Sequence, residues 1–359
     1  MRPGHHHFSP DYATARYRLL AACAARGLVV ESRVHPLRGP AAEQLALDVV
    51  RIGPAGAPRR LALFAGTHGV EGYFGAALSL GLVEDGHLDH LPEGVSVHLF
   101  HALNPWGFAW TRRVTEDNVD FNRDWIDFGE SRARDRDYEI IAAALLPPGL
   151  DPATLAAADG ELRHFARTNG LPALQAAVTR GQYHHGDGLY FGGYGPTWSR
   201  RRVSEAVLCQ LSGADHVVAI DCHTGLGAYG TGEAITIAAP GSAAYGRAKA
   251  LFGARVKSTV TGESLSAHLM GSLDEGVAAL LGDDGLTFVA LEVGTRDGIT
   301  VLGALRDDNF LHQQGGLDTE QGRAIKARLK DAFAPDEAAW QDAVYALGLE
   351  TVQGVLAGI

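Results

Sequence analysis

The chain changes its hydrophobic period repeatedly. "DYATARYRLLAACAARG" sets apolar residues at helical spacing between an acidic start and a terminal glycine, and predicts a first helix. "LALDVVRIG" then alternates apolar and polar positions before the turn "GPAGAPRR", and the buried run "LALFAG" leads through "THGVEG" into a helix from about residue 73. "SVHLFHALNP" supplies the next strand, and "DHVVAIDCHTG", "EAITIAAPG" and "LTFVALEVGT" predict three more. Strands and helices that alternate, with glycine-rich turns at strand ends, predict an α/β fold: a mostly parallel sheet covered by helices.

Two stretches break that rhythm. Residues 130–180 turn to Ala- and charge-rich helical text, including "YEIIAAALL" and "GLPALQAAVTRG". Next, "GQYHHGDGLYFGGYGPTWSRRR" is dense in glycine and aromatics without a period, which predicts an ordered loop or hairpin. With His184, His185, Tyr190, Tyr194 and Trp198 it reads equally well as a pocket wall or as a contact between copies in a homo-oligomer. Residues 317–359 read as helices separated by a proline. The expectation is a single domain over residues 1–359, with a helical and aromatic-loop insertion at 127–200 and a helical C-terminal segment at 317–359.

Composition narrows the function classes. A net charge of −11, spread along the 359 residues, lacks the basic footprint of a nucleic-acid binder. No apolar run is long enough for a membrane span, and three cysteines without a C-x-x-C pair suggest neither disulfides nor a thiolate metal site, so a cytoplasmic location is expected. The triplet His5, His6, His7 reads as a mobile polar terminus rather than a metal site.

Polar residues gather where the predicted strands end: His68 and Glu71, the segment from Arg113 to Arg123, His223, and Glu292. Ligands of open α/β sheets bind at that edge. The H-x-x-E spacing lets an imidazole at a strand end and a carboxylate in the next helical turn converge, and His223 can join from a parallel strand. Two histidines and a carboxylate make a catalytic zinc set with one position left for water. H-x-x-E alone recurs by chance, but Asp221, two residues before His223, is placed to fix the ring from behind.

In this order, "GTHGVEG", "RVTEDNVDFNRDW", "DCHTG" and "ALEVGT" resemble the motifs of the zinc carboxypeptidase superfamily, in a short bacterial branch near the aspartoacylase and succinylglutamate desuccinylase deacylases. The resemblance implies one mixed, mostly parallel sheet of about eight strands with helices on both faces. It makes His68, Glu71 and His223 the ligands of one zinc ion per chain and Glu292 the catalytic carboxylate. Asn122 and Arg123 match a pair that holds a substrate carboxylate, a suitable task for a planar guanidinium. Arg113 matches the arginine that stabilises the oxyanion, with Arg112 as the alternative through a one-residue shift. Asp120 is expected to hold the loop or Arg123. No secure counterpart exists for the closing tyrosine of carboxypeptidases; Tyr229 and Tyr245 are the candidates, and His268 could face the pocket. The implied substrate is a small carboxylate-bearing peptide or an N-acyl amino acid, and the motifs do not separate peptidase from deacylase.

"GLGAYG" satisfies G-x-G-x-x-G, yet a predicted strand rather than a helix follows it, which argues against a dinucleotide site. Cys222 reads as a buried strand-end thiol, and no G-x-S-x-G elbow or Walker loop occurs.

Overall fold

The computed structural model describes residues 3–359. Eight strands, β1 (Val30–Arg38), β2 (Gln44–Ile52), β3 (Arg59–Ala65), β4 (Val95–His101), β5 (His216–Tyr229), β6 (Gly232–Thr236), β7 (Val256–Ser258) and β8 (Leu286–Gly294), form one sheet in the order β1-β2-β4-β3-β5-β8-β6-β7. The central pairs β4–β3, β3–β5 and β5–β8 run parallel, as does β6–β7, while β1–β2, β2–β4 and β6–β8 run antiparallel. This is the mixed, mostly parallel sheet expected.

The helices are α1 (Tyr12–Ala25), α2 (Gly72–Glu84), α3 (Pro105–Ala109), α4 (Arg136–Leu145), α5 (Pro152–Asn169), α6 (Leu171–Thr179), α7 (Trp198–Leu211), α8 (Ala243–Phe252), α9 (Leu273–Leu281), α10 (Gly298–Gln314), α11 (Glu320–Phe333) and α12 (Ala338–Gly358). Central strands buried on both faces need continuous apolar runs, and β3 and β5 have them. Val218, Ile220 and Cys222 of β5 join Leu19, Phe74, Leu78, Phe252 and Val344 from α1, α2, α8 and α12. The alternate residues Val217 and Ala219 pack with Val203 and Val207 of α7 and Leu273 and Val277 of α9 on the other face. The inserted helices α4 to α6 bring Ile141, Leu162 and Val178 into one cluster with Val301, Leu305 and Leu329 of α10 and α11. Helices α4 to α6 are therefore joined to α10 and α11 by apolar contact.

Helices α3, α7, α8, α9 and α10 were not anticipated, although α9 and α10 carry readable start signals. Asp297 caps α10 by accepting from the amides of Ile299 and Thr300, both at 3.1 Å, and Ser272 with Glu275 forms a capping box on α9. The His5–His7 triplet is a correction. It forms a 3-10 turn over Gly4–His7 in which the buried His7 stacks on Tyr345 at 4.9 Å and pairs with Glu84 and Asp85, while His5 pairs with Asp342. Acidic partners on α2 and α12 hold what composition alone suggested would be loose. Among the described residues no helix is long and apolar enough to cross a membrane.

Candidate metal centre and cleft

Strand β3 ends at Ala65, and Gly66, at φ 75°, turns the chain into the 3-10 turn Gly69–Glu71 that starts α2. A Cβ at Gly69 would lie 2.0 Å from the carbonyl carbon of Gly107, so only glycine lets this turn approach α3 so closely. The amides of Gly69 and Val70 donate to the carbonyls of Arg113 at 3.1 Å and Arg112 at 2.8 Å, which ties the turn to the arginine segment. Next door, Ala65 pairs with Cys222 and His223 with Glu292 across the parallel ladders. The register thus sets His223 beside Glu292, one residue beyond the Ala65–Cys222 pair, and the turn after β3 brings His68 to the same edge.

His68 Nδ1 lies 2.9 Å from Glu71 Oε1, and His223 Nδ1 lies 2.9 Å from Glu71 Oε2. One ligand atom from each residue falls within 4.8 Å of the others. Behind them, His68 Nε2 meets Asp120 Oδ1 at 3.1 Å and His223 Nε2 meets Asp221 Oδ2 at 2.6 Å. His223 Nε2 donates to Asp221, whereas His68 Nε2 also lies 2.9 Å from Arg113 Nη2, which can only donate; both rings turn Nδ1 toward Glu71. Two Nδ1 atoms and a carboxylate converge on residues at most 4% exposed, a donor set that a divalent metal fits when both rings are neutral.

The electrostatics agree. Burial alone would raise the Glu71 carboxyl, but the His68 charge, hydrogen bonds with His223 and His68, and the Arg113 guanidinium hold it well below the usual range. For His223, burial favours the neutral ring, and Asp221 and Glu71 overcome it, so the imidazole holds a positive charge more firmly than usual. Glu292 goes the other way. Burial, then the neighbouring Glu71 charge, pushes it up to about 7 against the opposing pull of His223, the Leu226 amide and Arg113. Leu226 N donates to Glu292 Oε1 at 2.9 Å and fixes one face of the carboxylate. Cys222 is fully buried and its thiol is pushed far up by burial and by Asp221, which removes it as a nucleophile.

These residues line a cleft of about 900 Å³, part of it open to solvent, together with Arg113, Asn122, Arg123 and Tyr190. Arg113 donates from Nε to Asp120 at 3.0 Å and from Nη1 to Glu71 at 2.7 Å. Arg123, 2% exposed, gives Nε and Nη2 to the Thr179 carbonyl and Nη1 to that of Asn122, so part of its fork remains for a ligand. Asn122 Oδ1 accepts from Leu273 N at 2.7 Å, which leaves its amide nitrogen as a donor. The aromatic loop reaches the cleft through Tyr190, whose ring lies 5.0 Å from the Arg113 guanidinium and 5.4 Å from that of Arg123. Asp120 does more than hold the loop, since it backs His68 as well as Arg113.

Two sequence candidates fall elsewhere. Arg112 lies in the turn after α3, turns away from the cleft centre and binds Asp308 and Asn118, each at 3.0 Å. Tyr229, 41% exposed, ends β5 beyond the cleft, where its hydroxyl meets Glu337 and its ring lies 5.5 Å from the Arg296 guanidinium. Tyr245 packs with the opposite core, and the residues that the His268 loop turns into the cleft are Ser266, Ala267 and Leu269. Tyr190 was visible only as one aromatic among several. Its φ of 53°, a left-handed value costly for a bulky residue, depends on contacts that sequence does not display.

The family described as "Protein of unknown function (DUF2817)" matches residues 8–347. The chain belongs to that family. No curated protein matches this DUF2817 chain. Among solved structures it is similar to carboxypeptidase A from Helicoverpa armigera, at 13% identity and a TM-score of 0.47 over 91% of this chain and 74% of that one. It is also similar to a metallo-carboxypeptidase from Pseudomonas aeruginosa, at 15% identity and a TM-score of 0.42 over 92% and 68%. A succinylglutamate desuccinylase/aspartoacylase family protein from Shewanella amazonensis SB2B shares 19% identity with the DUF2817 chain, with a TM-score of 0.37 over 80% and 73%.

Proposed function

We propose that this chain is a zinc-dependent hydrolase that cleaves an amide or peptide bond next to a free carboxylate. The observation that carries the reading is the convergence of His68, Glu71 and His223, each imidazole backed by its own carboxylate, beside a carboxylate whose proton affinity is raised toward neutrality. His68, Glu71 and His223 would hold the ion, and bound zinc supplies Lewis acidity toward a carbonyl and acidifies water.

The chain's own groups divide the remaining work. Asn122 and Arg123 hold the substrate carboxylate and so fix the scissile bond in the cleft. Arg113 offers positive charge where negative charge develops on the carbonyl oxygen. Glu292, elevated to about 7, takes a proton from the attacking water and hands it to the departing nitrogen. Tyr190 keeps the two guanidiniums in place. The substrate is a small carboxylate-bearing peptide or an N-acyl amino acid. A deacylase of the aspartoacylase type would use the same groups and differ in the acyl side of the amide, a simple acyl group in place of the remainder of a peptide.

Purified protein should contain about one zinc per chain, and turnover of a panel of short peptides and N-acyl amino acids should vanish with chelator and return with zinc. Glu292→Gln should keep the metal and lose about 10²- to 10⁴-fold in rate. Equal turnover by that variant would discard the assignment of Glu292, and chelator-resistant turnover would discard the metal.

A further inference from the structure

The sheet has two edges, and β1 is the long one, with nine residues against three in β7. Its pairing with β2 shows which of its backbone groups are already used. Val34 faces Ala46 of β2, yet the Ala46 amide donates to the Tyr12 hydroxyl at 2.8 Å and the Ala46 carbonyl accepts from that hydroxyl at 3.3 Å. Tyr12 stacks on His101, on the β4 side of β2. The backbone of Ala46 therefore turns away from β1, and Val34 and Ala46 are a pair without ladder hydrogen bonds. Alternation along an antiparallel strand then turns the N–H and C=O groups of Val30, Ser32 and Val34 out from the sheet, while Glu31 and Arg33 bond Val49 and Leu47. No hydrogen bond within the described residues reaches those outward groups.

Open edges are ordinarily blocked by proline, bulges or charge. Pro36 and the register shift between Val34 and Arg38 block only the far half of β1. The stretch from Val30 to Val34 stays open, and its charges are self-complementary. A two-fold axis through Ser32 sets Ser32 opposite Ser32 of a second copy and Val30 opposite its Val34. These are hydrogen-bonded pairs, so the three outward residues of each copy are satisfied in about six hydrogen bonds. The same register sets Glu31 opposite Arg33 twice, in the close pairs where cross-strand side chains interact best. An axis through Glu31 or Arg33 would match the outward backbone equally well but would oppose Glu31 to itself or Arg33 to itself. An axis through Val34 would bring Pro36, which lacks an N–H, against Ser32. The side chains thus select the Ser32 register, and the contact covers Val34, which is 51% exposed in the single chain.

We infer that two copies of this chain join β1 to β1 in that register, as a two-fold dimer with one continuous sheet. Full-length protein should sediment at twice the chain's mass at micromolar concentration. Arg33→Glu sets like charges across both close pairs and should weaken association by about tenfold or more. Reversing both charges, Glu31→Arg with Arg33→Glu, should restore association to within about threefold of wild type. Ser32→Cys tests the axis by itself, because hydrogen-bonded partners have Cα atoms about 5.5 Å apart, a separation that a disulfide spans. The background for it is Cys209→Ser, which removes the exposed native thiol. Mild oxidation should then link Ser32→Cys into covalent dimers on a denaturing gel and leave its parent unlinked. A monomeric wild type overturns the inference. A dimer that Arg33→Glu leaves unweakened lies on another surface and overturns it too, as does a double reversal that fails to restore association or a Ser32→Cys variant that fails to link.

Discussion

Arg112 and Arg113 are neighbours in sequence yet belong to two different buried polar clusters. Arg113 enters the cleft, where it shares Asp120 and Glu71 with the two histidines. Arg112 enters a closed network behind it. Asp308 pairs with Arg112 at 3.0 Å and with Lys326, whose ammonium also meets the Thr111 carbonyl at 3.2 Å and His312 Nε2 at 2.6 Å. Burial, helped by Arg112, pushes His312 down to about 3, so the ring stays neutral and can accept from Lys326, itself lowered to about 8 by burial. In the closed network charges meet opposite charges inside the protein. In the cleft, His68 Nδ1 and His223 Nδ1 both turn to the single carboxylate of Glu71, a set that a divalent metal fits. A structural cluster completes itself, whereas a functional one keeps atoms in reserve for something else to satisfy.

The sharpest way to break this contrast is to truncate each arginine in turn. Arg113→Ala should cost about 10²- to 10³-fold in kcat of the folded, metal-loaded protein, the usual loss when a donor to developing charge is removed. Arg112→Ala should act on stability instead, because it removes one of the two cations on Asp308 and the donor to Asn118, and should destabilise the fold by about 1.5–3 kcal/mol in denaturant titration, with the surviving folded protein still turning over. If Arg112→Ala lost rate without stability, the two clusters would have to exchange roles. Next in size is the support behind the ligands. Asp221→Asn should weaken zinc binding by about 10- to 100-fold in a competition with chelator, because a neutral amide holds the His223 ring less firmly in its donor tautomer. Unchanged zinc affinity would remove Asp221 from the metal centre.

The sequence disclosed the first cluster better than the second, for a physical reason. His68, His223 and Glu292 sit at the ends of strands whose apolar runs identify themselves, and parallel pairing brings such ends to one level without further information. Glu71 follows from His68 through a single helical turn. The sheet was legible on the same grounds, since buried strands and glycine turns are local signals. The arginines were not separable, because only the course of residues 112–113 against α10 and α11 decides which one faces the cleft. Helix α10 was missed despite its Asp297 cap, and with it Asp308, the partner that claims Arg112. The histidine triplet failed for a related reason: its partners Glu84, Asp85 and Asp342 are far away in sequence.

The two tyrosines give the smallest and most discriminating test. Tyr190 touches both guanidiniums with its ring, so ring and hydroxyl can be separated. Cation–π contacts are worth about 0.5–2 kcal/mol, so Tyr190→Ala should lower kcat/KM by up to about tenfold or somewhat more, mainly through KM as Arg123 loosens. Tyr190→Phe keeps the ring, and it should retain most of that contribution if the ring alone acts. A drop in kcat for Tyr190→Phe equal to that of the alanine variant would assign the work to the hydroxyl. Tyr229→Phe removes only an exposed contact to Glu337 outside the cleft, and its kcat/KM should stay within about twofold of wild type, as surface substitutions remote from a site usually do. A larger loss at Tyr229 than at Tyr190 would mean that the end of β5 swings over the substrate during turnover, and would return to Tyr229 the closing role that its position in the free chain denies it.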